Sequence, residues 1–293
     1  MIDFANVKTI TDSSGVSVAK ILDSSGNALW TKPVDKAVVN TSATSGVTYT
    51  SGISDLDATT IDCFSEAISN NGAITKTTST VYVDYGSLHR KVSVGDQISI
   101  SLDGTDYTFD LIGFNHDTLT STTAYGTSTT TGKAGMTFQM HDLFATAYVM
   151  NTESTNVGGW KSSIMRTSTM PIMKGYLPSG WQNAIKTVNK LSGIGGEFSS
   201  GVETTSDDCF LLAEIEVFNT TEYSAAGEGS QYAWYTAGNS TLKTGIDKPN
   251  WWLRSPVPDD TYVRSFARVS ASAGSITKYR AESEYGVSFA FCI

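Results

Sequence analysis

The chain is predicted to be an α+β protein in which strands dominate and a small β-meander precedes the main body. Alternating apolar and polar runs, bounded by Gly, Asn, Asp and Ser, recur along most of the 293 residues, the pattern of half-buried strands. A few segments carry apolar residues at helical spacing instead, and each is short. Charged residues make up only 17% of a chain rich in Thr, Ser and Gly, a texture that suits β-rich extracellular or virion-type proteins more than helical metabolic enzymes.

Residues 1–33 hold an internal echo. Thr9-Ile10-Thr11-Asp12-Ser13-Ser14-Gly15 returns eleven residues later as Lys20-Ile21-Leu22-Asp23-Ser24-Ser25-Gly26. Each Asp-Ser-Ser-Gly is a turn signal between strand-like residues, so a meander is expected, ending in Asn27-Ala28-Leu29-Trp30. It is too small to be stable alone and should lean on a neighbour or another subunit. Residues 34–53 read as a linker or extended strand, and 54–293 as the main domain.

That domain opens with a short helix: Asp55 or Asp57 can cap it, Ile61, Phe64, Ala67 and Ile68 form its apolar face, and Asn70-Asn71-Gly72 ends it. Strands follow over 81–85 and 97–102, the second turning at Asp103-Gly104 into 107–114. The Thr, Ser, Gly and Tyr of 118–132 read as an exposed loop. A strand is expected over 136–140, short helices over 160–166 and 181–188, and a buried strand or strand pair over 208–218. Gly227-Glu228-Gly229 opens a helical 232–235, and the chain returns to β at 262–269, 276–280 and 287–292.

Several function classes find little support. A net charge of −9 with no Lys/Arg cluster argues against nucleic-acid binding. No apolar run reaches membrane-spanning length, so no membrane insertion is expected. The start, Met1-Ile2-Asp3-Phe4, lacks the regions of a signal peptide, so the protein is expected to be made in the cytosol and to leave, if at all, as part of an assembly. Cys63, Cys209 and Cys292 are far apart; buried reduced thiols and a Cys209–Cys292 disulfide both remain open. No nucleophile elbow, phosphate loop or dinucleotide fingerprint is present. His116-Asp117 and His141-Asp142 lack metal spacing and suit structural hydrogen bonding. Glu214 and Glu216, two apart on the expected strand, read as a solvent-facing or hydrogen-bonded pair sharing one face. Neither a catalytic residue, a metal nor a cofactor is expected.

The last forty-odd residues are different. Two mostly apolar blocks, Trp251-Trp252-Leu253-Arg254-Ser255-Pro256 and Gly286-Val287-Ser288-Phe289-Ala290-Phe291-Cys292-Ile293, bracket a chemically mixed interval. Tyr262, Phe266 and Tyr279 supply adaptable area there, Arg264, Arg268 and Arg280 directional donors, and Asp259, Asp260, Glu282 and Glu284 the opposite charge. Tyr and Arg are the residues that carry binding hot spots. Trp251 and Trp252 read as core anchors or as a sugar-stacking pair, and Arg254 as the internal partner of a carboxylate or of backbone carbonyls.

These two blocks resemble the C-terminal signature of a domain family common in phages and prophages of gut Firmicutes. The likeness runs upstream through Ile112-Gly113-Phe114-Asn115-His116-Asp117, Val188-Asn189-Lys190, Leu211-Leu212-Ala213-Glu214 and Gly227-Glu228-Gly229, and covers roughly 55–293. The resemblance implies a C-type-lectin-like fold, related in architecture to formylglycine-generating enzymes. It also implies a non-enzymatic receptor-binding protein of a phage tail tip or fibre, like the variable proteins of diversity-generating retroelements. In those proteins a framework, here Trp251, Trp252, Arg254, Phe289 and Phe291, holds diversified positions. By likeness these are Val257, Asp259, Asp260, Tyr262, Val263, Arg264, Ser265, Arg268, Ser270, Ser272, Tyr279, Arg280, Glu282 and Glu284. The calcium-sugar signature of true lectins is absent, and the cysteines do not match the copper site of formylglycine-generating enzymes. The partners expected are a bacterial-surface protein or glycan, other virion proteins, and further copies of the chain in a trimer. The alternative is a structural virion protein of head, neck or tail using the same face for protein contacts.

Overall fold

The computed structural model describes the backbone of residues 20–22 and 28–31, and residues 36–196, 201–247, 249–258 and 262–293 throughout. The chain divides into two units, Met1–Lys36 and Ala37–Ile293. In the first, β1 (Lys20–Leu22) and β2 (Ala28–Thr31) pair antiparallel with Ile21 opposite Trp30. The earlier repeat at 9–15 and the turn at 23–26 lie outside the described residues.

The second unit begins inside the stretch read as a linker or extended strand. There β3 (Val38–Asn40) and β4 (Thr50–Ser51) form the edges of a four-stranded sheet. Its centre is β5 (Thr80–Tyr85) and β6 (Leu88–Ser93), giving the order β3-β5-β6-β4. Helix α1 (Ala58–Ser69) lies between β4 and β5 in sequence. Asp57 caps it by accepting from the Thr60 amide at 2.7 Å, and Ile61, Phe64 and Ile68 bury its apolar face. Asp55, the other expected cap, instead meets Arg90 at 2.5 Å.

Next, β7 (Gln97–Leu102) and β8 (Thr105–Phe114) pair antiparallel. Asp103 and Gly104 both take positive φ, 47° and 83°, which is what a two-residue turn matching the strand twist demands. After β9 (Thr118–Leu119), turns and bends lead to β10 (Met136–Met140). Then come α2 (Gly159–Ser162), a π-helical turn at Met165–Thr169, α3 (Met170–Tyr176) and α4 (Ser179–Ala184). They lead into β11 (Val188–Gly193), β12 (Val202–Asp207), β13 (Cys209–Phe210), α5 (Glu214–Phe218) and α6 (Ala233–Thr236). The last strands are β14 (Trp251–Pro256), β15 (Ser265–Val269), β16 (Ile276–Arg280) and β17 (Ala290–Cys292).

The core sheet has the order β13-β17-β10-β8-β7. Its last strand in sequence therefore sits inside it, and Phe289 and Phe291 pack against Phe109 and Phe138 with all four rings fully buried. Burying each such ring contributes on the order of 1.5–3 kcal/mol. Two three-stranded sheets complete the unit, β12-β11-β9 and β14-β15-β16.

This architecture overturns the expected α+β, C-type-lectin-like fold. Among the described residues the second unit has 15 strands in four sheets, against six short α-helices of which only α1 exceeds seven residues. The expected helices are cut short by their own sequences. Ser163 turns extended after α2, and the turn that follows is π-helical rather than a continuation. Ile185 ends α4 in an extended conformation, and the β-branched residues beyond it lead into β11. Conversely, only Cys209–Phe210 of the expected strand at 208–218 is a strand. Extended Ala213 starts α5, with the Glu216 carboxylate accepting from its amide at 2.9 Å.

Candidate functional site

The β14-β15-β16 sheet is anchored on one side and open on the other. All six residues of β14 are buried. Both indoles find acceptors, Trp251 Nε1 donating to the Thr241 carbonyl at 3.0 Å and Trp252 Nε1 to that of Tyr148 at 2.9 Å. Each ring is thereby oriented as well as buried.

Arg254 ties the strand to the rest of the unit. Its guanidinium donates to both oxygens of Glu216, at 2.5 and 2.9 Å, and to the carbonyls of Leu191, Leu211 and Glu228. Lys190 Nζ bridges Asp117 at 2.5 Å and Glu216 at 2.8 Å, and donates to the Tyr232 hydroxyl at 3.1 Å. Glu228 accepts from the Gly193 amide at 2.6 Å and from the Ser255 hydroxyl. The short motifs around Asp117, Lys190, Glu214-Ile215-Glu216, Gly227-Glu228-Gly229 and Arg254 thus meet in one buried polar cluster. Burial works against both ionised carboxyls. Lys190 and His116 nevertheless hold Asp117 well below the usual carboxylate range, and Arg254 and Lys190 hold Glu216 below it. At Glu228 burial wins and pushes the carboxyl up to about 7.

The reading of Glu214 and Glu216 as a pair on one strand face is corrected accordingly. Both lie on α5 and both are buried. Glu214 closes the following loop through the Glu222 and Tyr223 amides and the Thr220 hydroxyl. The histidines also serve separate structures. His141 meets Asp110 at 2.8 Å, while His116 stacks on Tyr232 with centroids 3.8 Å apart. All three cysteines are free, and burial pushes the Cys209 and Cys292 thiols up. Among the described residues no three His, Cys, Asp or Glu side chains group to hold a metal ion, and no helix is long and apolar enough to cross a membrane.

The outer side of the sheet carries the mixed interval. Tyr262 is 67% exposed and Tyr279 44% exposed, with Arg280, Glu284 and Ser272 also exposed. Val263, Arg264, Arg268, Ser270 and Glu282 are half-buried. The Arg264 guanidinium lies 4.1 Å from the Tyr262 ring, and that of Arg268 lies 4.6 Å from Tyr279 and 4.2 Å from Tyr285. Tyr285 meets Trp252 edge-on at 5.0 Å, so the outer aromatics rest directly on the anchor. Tyr279, Glu282, Glu284, Tyr285, Asn250 and Val149 line an open hollow of about 600 Å³. Val263 takes φ 50°, a strained conformation for a β-branched residue.

Three of the expected contact residues are corrected. Val257, Ser265 and Phe266 are buried, Phe266 completely. The cause is the anchor: Phe266 pairs with Pro256, and Asn156 Nδ2 donates to the carbonyls of Val257 and Ser265, drawing this part of the loop inward. Asp259 and Asp260 lie outside the described residues. Trp251, Trp252, Arg254, Phe289 and Phe291 are all fully buried. Sequence reasoning missed Asn156 and Tyr285. Asn156 acts across about a hundred residues, a distance no local pattern signals. Tyr285, directly before the second apolar block, could have been suspected from its place beside Gly286.

The unit is thus a mostly β scaffold with a Tyr/Arg-rich sheet face fastened to a buried ionic cluster. Residues 134–293, more than half of the chain, match the family described as Domain of unknown function (DUF6273), and the chain belongs to that family. No curated protein and no solved structure matches it. The matched region contains Lys190, Glu216, Glu228 and Arg254, whereas Asp117 lies upstream of it.

Proposed function

We propose that the protein is a non-enzymatic receptor-binding protein of a phage or prophage tail tip or fibre. In this reading the outer side of β15 and β16 contacts a protein or glycan on the bacterial surface. One observation carries it: Tyr279 on β16 and Tyr262 in the turn before β15 stand exposed, while β14 of the same sheet is wholly buried. Exposed Tyr on a rigid base loses little conformational entropy on binding and Arg adds directional donors, which is why such residues dominate recognition surfaces. The buried ionic groups favour a scaffold over catalysis, because the hydrogens of Lys190 and the oxygens of Asp117, Glu216 and Glu228 are engaged by partners within the protein.

The protein would reside in the virion, with the N-terminal unit joining it to other virion proteins or to further copies, as a trimer. Weak sites would then add through avidity. Diversification of the exposed positions belongs to the same reading and predicts an imperfect template copy of this region beside a reverse-transcriptase gene. The test is binding of the full chain to envelopes of gut Firmicutes, compared with a Tyr262→Ala/Tyr279→Ala/Arg280→Ala variant whose circular dichroism matches the parent. At least a tenfold loss is expected. Equal binding by the variant, or none by the parent, overturns the proposal.

A further inference from the structure

A second concavity lies against the ionic cluster, away from the outer face. It measures about 530 Å³, within the range of small-molecule sites. Residues 115–118 pass along it, entering through Asn115 at φ 43°. Asn115 Nδ2 donates to the carbonyls of Ile68 and Ile74, at 3.0 and 2.9 Å. Two carbonyl acceptors settle which way the amide points, and Asn115 Oδ1 is left buried without a partner.

His116 repeats the pattern. Its Nε2 lies 2.9 Å from the Ser230 carbonyl, which can only accept, so Nε2 carries the hydrogen. The other ring nitrogen, Nδ1, is buried without a hydrogen-bond partner, 3.5 Å from Asp117 Oδ1. Adjacent residues of one wall therefore hold two buried polar atoms without a hydrogen-bond partner in the protein, an arrangement that a ligand able to complete them would relieve.

The rest of the lining indicates what would complete them. Asp117 and Glu216 also line the concavity, but Lys190 and Arg254 already neutralise them. The cations left toward solvent are Lys76, bound to the Ser230 hydroxyl at 2.9 Å, and Lys133, bound to that of Thr118 at 2.7 Å. Each is held only by a neutral hydroxyl in these contacts. A matching ligand would offer hydroxyls to the inner wall, which can donate to Asn115 Oδ1 and either donate to or accept from His116 Nδ1, and a negative charge to the lysines.

We infer that this concavity binds an acidic monosaccharide, a single hydroxylated ring bearing one carboxylate or phosphate, between Asn115 and His116 on one side and Lys76 and Lys133 on the other. The site shares no lining residue with the hollow beside Tyr279, so it does not depend on the receptor-binding reading.

Calorimetry on the full chain tests it with glucuronate, galacturonate and glucose 6-phosphate, using glucose, galactose and inorganic phosphate as controls. Saturable 1:1 binding of at least one acid sugar is expected, at least tenfold tighter than its neutral counterpart and than inorganic phosphate. The uronate and phosphate arms separate the two sources of charge. Lys76→Glu/Lys133→Glu, on side chains that reach solvent, should weaken binding at least tenfold. His116→Phe, which keeps a ring to stack on Tyr232, should weaken it without changing ionic-strength dependence. Tyr262→Ala/Tyr279→Ala should leave it unchanged. No acid-sugar binding at millimolar concentration, equal binding of inorganic phosphate, or indifference to the lysine reversal overturns the inference.

Discussion

Strands β14 and β16 belong to one three-stranded sheet, about 10 Å apart across β15, yet their surroundings are opposite. Every residue of β14 is buried, its indoles and guanidinium each satisfied by distant parts of the chain. On β16 Lys278, Tyr279 and Arg280 are exposed and the two residues before them half-buried. The middle strand divides the two: Phe266 and Arg268 share one of its faces, yet Phe266 is fully buried beside Pro256 while half-buried Arg268 reaches between Tyr279 and Tyr285. A substitution on β14 therefore acts on the whole unit, whereas one on the outer side of β16 acts on what the surface can touch. Such a sheet can change its contacts without changing its fold.

The largest test of that contrast is Arg254→Met. It strands Glu216 and several carbonyls in a dry interior and should destabilise the protein by about 3–5 kcal/mol in urea unfolding. A loss below about 1 kcal/mol would show that the cluster is not the anchor.

Glu228→Gln should have the next largest effect, and it depends on pH. The folded carboxyl is raised from 4.5 to about 7, so the native state binds this proton more tightly than the unfolded chain. Its contribution to stability is therefore present below pH 4.5 and falls as pH rises toward 7. The amide mimics the protonated acid, and the variant should gain roughly 1–3 kcal/mol over the parent above pH 7 and lose that slope. Asp117 and Glu216, lowered in the fold, act oppositely, and their stabilisation disappears as pH falls through their depressed range. Parallel melting profiles for parent and variant across pH 4–8 would contradict the assignment.

Val263→Gly removes a β-branched side chain from positive φ. Relief of strain exceeds the added freedom of the unfolded chain, so a gain of up to about 1 kcal/mol is expected by calorimetry. If recognition uses this strained turn, ligand affinity should fall as stability rises. The smallest effect on stability belongs to Tyr262→Ala, within about 0.5 kcal/mol of the parent. A larger loss would place Tyr262 in the framework and erase the contrast between the two sides.

Much of the scaffold was legible because its causes are local. Asp103-Gly104 dictates its own turn, Asp57 and the Ile61, Phe64, Ile68 spacing specify α1, and alternation marks β5 and β7. The 208–218 segment misled because a continuous apolar run serves a buried strand or a short buried helix equally well. Glu214 and Glu216 were misplaced for a related reason: their partners are not neighbours. Glu216 meets Arg254 across 38 residues, and Lys190 meets Asp117 across 73.

The two terminal blocks show where that boundary falls. Their apolar residues have few places to go but the interior, so the burial of Trp251, Trp252, Phe289 and Phe291 could be anticipated from composition and hydrophobicity. The interval between them is chemically mixed, and nothing local tells Phe266, which is buried, from Tyr262, which is not. That distinction arose from the pairing of Phe266 with Pro256, from Asn156 holding the carbonyls of Val257 and Ser265, and from Tyr285 seating the outer rings on Trp252. The convergence of Asp117, Lys190, Glu216, Glu228 and Arg254 has the same origin. Charges separated along the chain became one neutralised cluster because packing brought them where water could no longer serve as their partner.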